Sequence, residues 1–204
     1  MIHQMAKGMT SVFIRFGECD ESNADIYVYA CEAIISTVAN VLIGLIISLI
    51  FGHMAGGLIY IVAFMLLRRH VGGHHAKTHM RCIFSFCVMF TFSLILVSVI
   101  ATFQVSSMVS IAVATLSCIC IFLLPPVENE NKPISVEQLT ILKRRGYFLS
   151  FALWSFCVFS AYFLSPQISL ALSLSMLSVL GSMTYALLSS LYQKKRKCSC
   201  NEGI

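Results

Sequence analysis

Of 204 residues, 58% are hydrophobic and only 11% are charged, with 14 Lys and Arg against 9 Asp and Glu. A soluble domain carries about 25% charged residues. The composition therefore excludes an ordinary soluble globule, and a mean hydropathy of +0.85 reads as an integral membrane protein. The length suits one compact domain, residues 1–204. No nucleic acid is expected among its partners, and no cofactor or metal is required by the composition.

The first segment, residues 1–25, holds His3, Lys7, Arg15, Glu18, Asp20, Glu21 and Asp25. No apolar core of a signal peptide precedes them, so no cleaved secretory segment is expected. Met5, Met9, Val12, Phe13 and Phe16 fall at roughly helical spacing, with Lys7 and Arg15 among them. This pattern predicts an amphipathic helix lying on the inner leaflet. The alternative is a frayed polar start.

Six apolar runs follow: Ala33–Phe51, Met54–Leu67, Cys82–Phe103, Met108–Leu124, Tyr147–Leu164 and Ile168–Tyr192. A span needs roughly 20 apolar residues. The second run has 14, which as a helix reaches about 21 Å, short of a core of roughly 30 Å. It is expected to start earlier, to be re-entrant, or to sit where the bilayer thins. The fold expected is all-α and polytopic, about six transmembrane helices plus the N-terminal interfacial helix.

The charge map supports that number. All 14 Lys and Arg lie in the N-terminal segment, in 68–81, in 132–145 or in 194–197, and the connections 52–53, 104–107 and 165–167 carry none. Six crossings put every basic segment on one side. By the positive-inside rule that side is the cytoplasm, which holds both termini, the loop 68–81, the basic loop 125–146 and the tail 193–204. The Pro125-Pro126 pair and Asn131-Lys132-Pro133 mark a loop, because proline lacks an amide donor and restrains its predecessor.

The chain has nine cysteines. Cys31, Cys87, Cys118, Cys120 and Cys157 lie in apolar runs and read as small hydrophobes. Cys198-Ser-Cys200 is a weak metal signal and an unproven palmitoylation site. Cys82 differs. It closes the stretch Arg-Arg-His-Val-Gly-Gly-His-His-Ala-Lys-Thr-His-Met-Arg-Cys, residues 68–82, which holds four of the six histidines between two apolar runs. Gly72-Gly73 should end one helix, and the next should begin between Ala76 and Cys82. Cys82 then sits near a helix N-terminus at the water boundary, close to Lys77 and Arg81. Each feature favours a thiolate.

A nucleophilic cysteine wants a base within hydrogen-bond reach. On one continuous helix His75 would stand about 10.5 Å from Cys82, whereas His79 would be one turn away. Local spacing thus leans toward His79. Two other readings stay open. His70/His74 and His75/His79 are spaced i,i+4, so the His70–His79 cluster could bind or carry a metal. The stretch could also be a basic loop facing lipid headgroups. Lys143-Arg144-Arg145 read as a topology signal or as an attractor for an acidic substrate. Lys194–Lys197 read as an anchor to anionic lipid.

The pattern Arg68-x4-Gly73-x-His75-Ala76-x5-Cys82 resembles the motif of the accessory gene regulator B (AgrB-like) family, bacterial membrane peptidases that process quorum-sensing peptide precursors. The amphipathic start, Asp20-Glu21 before the first span, the Pro126…Asn131-Lys132-Pro133 loop and the length extend the similarity. The resemblance implies a catalytic dyad of His75 and Cys82, with Arg68 and Gly73 as supporting positions. It reverses the lean toward His79 and implies that the Gly-Gly turn folds His75 back toward Cys82. It also implies an AgrD-like precursor with an acidic C-terminal tail, which Lys143, Arg144 and Arg145 would favour. Cleavage through an acyl-thioester on Cys82 and cyclisation to a thiolactone or lactone would follow. The expected setting is a bacterial cell membrane, with lipid as a partner, and a homodimer is allowed.

Overall fold

The computed structural model describes residues 2–16, 24–71, 79–103, 106–124 and 136–201. Among these are seven helices and no strand: α1 Ile2–Arg15, α2 Ala24–Ile50, α3 Met54–Val71, α4 His79–Ile100, α5 Ser106–Leu123, α6 Val136–Phe163 and α7 Pro166–Asn201. Helices α2 to α7 each contain a stretch long and apolar enough to cross a membrane. The protein is therefore an all-α, multi-pass membrane protein with a short helix before its first span.

Several helices outrun their apolar stretches. α3 runs 18 residues without a break, about 27 Å at the helical rise. The second run is thus a short continuous helix and not a re-entrant one. It gains its last turn from Arg68, Arg69 and His70, which hydropathy counts as loop but which are compatible with helix. α6 likewise begins 11 residues before Tyr147, so Lys143, Arg144 and Arg145 stand on a helix rather than in a loop. α7 carries the basic run 194–197 as a continuation of the last span.

Contacts between helix ends define two faces of the bundle. At one, α6 meets the end of α3 at Gly146, where an added Cβ would lie 3.1 Å from Val71 Cγ2. There too the Tyr147 hydroxyl of α6 donates to the Phe122 carbonyl of α5 at 3.1 Å. At the other, His53 before α3 bonds Ser98 near the end of α4 at 2.9 Å, and Ser107 of α5 donates to the Ala161 carbonyl of α6. Consecutive spans therefore alternate in direction, and the charged side chains Arg68, Arg69 and Lys143–Arg145 share one end.

The turn between α2 and α3 shows how tightly the uncharged end is closed. Gly52 takes φ +71°. The His53 amide bonds the Ser48 carbonyl and the Gly52 amide bonds the Leu49 carbonyl, a pairing that ends a helix on a left-handed residue, where glycine has no Cβ to strain. The His53 carbonyl then accepts from the Gly57 amide and starts α3.

α7 is the hub. From Ser169 to Met176 every residue is buried, so this stretch is enclosed on all sides, which a helix apolar around its circumference permits. Its serines are satisfied within the helix, Ser173 bonding the Leu170 carbonyl at 2.9 Å and Ser175 the Leu172 carbonyl at 2.7 Å. Small side chains let backbones approach where lipid supplies little hydrophobic drive. Against α5, Ser169 meets Ser110 Oγ at 2.9 Å.

α1 lies along the start of α2. Ala6 and Thr10 are buried, Thr10 points its hydroxyl at Cys31, and His3 Nδ1 meets Glu32 Oε1 at 2.7 Å. Met5, Met9, Val12, Phe13 and Phe16 remain exposed on another face. The expected apolar stripe is present and separate from the face that docks on α2.

Candidate functional site

α3 ends at Val71, directly before Gly72-Gly73, and α4 begins at His79. The residues between these limits, Gly72-Gly73 among them, lie outside the described residues. Cys82 lies in the first turn of α4 and is partly buried. Here unpaired amides and the helix dipole favour negative charge. The Arg68 guanidinium, from the last turn of α3, reaches Cys82 Sγ with Nη2 at 3.8 Å. Two positions 14 residues apart are thereby joined across the hairpin.

Next to this contact stands a column of aromatic rings. On α3, Tyr60, Phe64 and Arg68 are spaced i,i+4, and on α4 Cys82, Phe86 and Phe90 are spaced likewise, so each set lines one helix face. The helices run antiparallel, and the rungs pair Arg68 with Cys82, Phe64 with Phe86 and Tyr60 with Phe90. Ring centroids lie 5.5 Å apart in the Phe64–Phe86 rung and 5.0 Å in the Tyr60–Phe90 rung. Phe86 and Phe90 stack at 5.5 Å along α4. Such pairs are worth about 0.5–1.5 kcal/mol each beyond the area they bury. At the foot of the column the Tyr60 hydroxyl donates to Ser178 Oγ at 2.6 Å and accepts from Ser93, tying the hairpin to the hub helix.

His75 and Gly73, the expected base and its supporting glycine, lie outside the described residues, as does His74. His79 opens α4, three positions before Cys82. His70 turns its Nδ1–H back to the Leu66 carbonyl at 2.8 Å. Among the described residues no three His, Cys, Asp or Glu gather where they could hold a metal ion.

The basic run lies nearer the loop than its sequence distance suggests. Gly146 is buried against His70 and Val71, the last residues before the loop. Lys143, one turn before it, borders a small cleft with His70, Val71 and Tyr147. Lys143, Arg144 and Arg145 are themselves exposed. The structure thus brings Lys143 to the end of α3 that carries Arg68.

Reading the sequence singled out Arg68 and Cys82 but missed Phe64, Phe86 and Tyr60. The signal was present as two i,i+4 stripes in apolar runs, but such stripes are common in any buried helix. The six cysteines whose side chains are described, Cys31, Cys82, Cys87, Cys118, Cys120 and Cys157, are free thiols. Cys157 is fully buried, its Sγ aimed at the Ser169 and Ser110 carbonyls at 3.4 and 3.9 Å, and it belongs to packing between α5, α6 and α7.

Compared with known proteins, residues 6–188 match the family model described as accessory gene regulator B. The chain is 28% identical over 134 residues to AgrB-like protein 2 of Clostridium perfringens (strain 13 / Type A). It is 25% identical over 132 residues to an AgrB-like protein of strain SM101 of the same organism. Each match covers 62% of this chain and 61% of the relative. No solved structure matches.

Proposed function

Because this chain belongs to the accessory gene regulator B family, implicated in processing quorum-sensing peptides, we propose that it is a membrane cysteine endopeptidase acting on a small precursor peptide, with Cys82 as nucleophile and His75 as its base. The single observation that carries this reading is the placement of Cys82 in the first turn of α4 with the Arg68 guanidinium 3.8 Å from its sulfur. A cation and a helix start both act on the one cysteine that falls at the family motif's position.

The chemistry follows in two steps. His75 takes the thiol proton, and the Cys82 sulfur attacks a backbone carbonyl of the precursor. The C–N bond breaks, the leaving amine receives the proton from His75, and the C-terminal fragment departs. An acyl-thioester remains on Cys82. A side-chain thiol or hydroxyl of the peptide then attacks that thioester, releasing a thiolactone or lactone ring and returning the proton to the Cys82 thiol. Exchange between thioesters is nearly balanced, so the step needs water kept away more than it needs energy. Amides at the start of α4 are suited to hold the oxyanion.

The precursor is AgrD-like, with an acidic tail drawn by Lys143, Arg144 and Arg145, whose run stands one helix turn from the contact between α6 and the end of α3. Gly73 is the supporting glycine of the motif, two positions before His75. The charged end faces the cytoplasm with both termini, and α1 lies in the inner leaflet on Met5, Met9, Val12, Phe13 and Phe16. Co-expression with a precursor tests the reading. Cys82→Ala and His75→Ala should each abolish cleavage while the protein still inserts, and cleavage retained in Cys82→Ala would sink it.

A further inference from the structure

Arg68 can be held at Cys82 only if something restrains a long, flexible side chain at the edge of a membrane. Arginine there ordinarily snorkels toward headgroups and water. In this chain its Cζ lies 5.5 Å from the centroid of the Phe64 ring. Phe64 is 4% exposed, wedged against Phe86 at 5.5 Å and Tyr60 at 6.1 Å. The ring is therefore a fixed platform, and a guanidinium above an aromatic face is attracted to its quadrupole, more so when partly desolvated.

We propose that Phe64 is a positioning residue for the Cys82 chemistry, its ring holding the Arg68 guanidinium against the Cys82 sulfur. The proposal rests on the peptidase reading for its functional meaning, but its geometry stands alone. Phe64 acts through Arg68 and touches no reacting atom. Its place in the column gives it this role. Phe86, on the opposite helix, packs on the far side of the column at 5.5 Å from Phe64 and one turn from Cys82, while the ring that carries the guanidinium is that of Phe64. Lysine at position 68 would not substitute, because its ammonium is strongly hydrated and lacks the planar fork that stacks on rings. On α2 and α3 other charged or histidine side chains sit at the same end. They are Asp25 and Glu32 on α2, the latter met by His3, and Arg69 and His70 on α3, whose ring bonds Leu66.

The test is site-resolved alkylation of the full chain in lipid nanodiscs, reading the peptide that contains Cys82 by mass spectrometry. Rates are compared near neutral pH and at about pH 9.5, above the ordinary thiol range. Phe64→Leu should slow alkylation of Cys82 near neutral pH by about fivefold, the size expected for losing a cation–π tether, with the alkaline rate unchanged. Phe64→Tyr, which keeps the ring, should behave as the native chain. Phe86→Leu, which loosens the column without removing the platform, should lower thermal stability and leave the ratio of the two rates near native. A Phe64→Leu ratio equal to native, or a Phe86→Leu ratio that falls as far, would overturn the proposal. Cleavage retained in Cys82→Ala would remove the peptidase reading while leaving the alkylation result to stand, so the two failures are distinguishable.

Discussion

Cys82 and Cys157 are the same side chain in two opposite settings. Cys157 lies in the middle of α6, fully buried, with two backbone carbonyls before its sulfur. A carbonyl only accepts, so this sulfur keeps its proton and donates it. Cys82 lies at a helix start, partly exposed, with a guanidinium before its sulfur. A guanidinium only donates, so this sulfur accepts. Burial and the direction of the hydrogen bond together separate the two sulfurs.

The sharpest way to break this contrast is to remove each sulfur. Cys82→Ala should abolish precursor cleavage in a co-expression assay, whereas Cys157→Ala should leave it near native and show itself only as a loss of stability. Equal loss of activity with intact folding in both variants would erase the distinction.

Next in size is a backbone approach beneath the Cys82 region, between α2 and α3. A Cβ on Gly57 would lie 2.6 Å from Ser48 Cβ and press on Ser48 Oγ as well, with Phe90 Cζ at 3.4 Å. Gly57→Ala should therefore force α2 away from α3 and disturb the lowest rung of the aromatic column, costing about 1–3 kcal/mol as overpacking does. Thermal unfolding in detergent measures it. An unchanged midpoint would mean that Ser48 gives way freely.

A smaller effect is expected at the basic run. Changing Lys143, Arg144 and Arg145 together to Gln should raise the precursor concentration needed for half-maximal cleavage several-fold and flatten its dependence on salt, as the loss of charge steering does. Native salt dependence in that variant would assign the run to topology alone. Smallest is Ser169→Ala. It removes the bond to Ser110 in the packing region and should cost about 0.6 kcal/mol, the average for hydrogen bonds between membrane helices. Unfolding in detergent should show it, with cleavage unaffected.

Much of this was legible in the chain. The uncharged stretches gave six spans, and the four basic segments put the cluster at 68–82 on one side of all of them. Among the described residues α3 runs to Val71 and α4 runs from His79, and the glycine pair between them lies outside those residues. Helix ends were less legible. Arg68, Arg69, His70 and Lys143–Arg145 lower hydropathy without breaking a helix, so α3 and α6 run past their apolar limits. Arg68 was found through the motif it completes, and nothing local pointed to its partner ring. Phe64 looks like any lipid-facing or core phenylalanine until α3 and α4 are set side by side.

By itself the sequence determined the class of the protein, the number of its spans, the end at which its charge collects and the cysteine that differs from the rest. These follow from transfer energies and from local rules for ending helices, which act over a few residues at a time. Only the tertiary structure decided that Arg68 reaches Cys82, that Phe64 lies beneath it and that Lys143 borders the same helix end. Those depend on the register between α3 and α4 and on how closely α6 approaches at Gly146. Both are set by side chains meeting across helices, an interaction no single stretch of sequence contains.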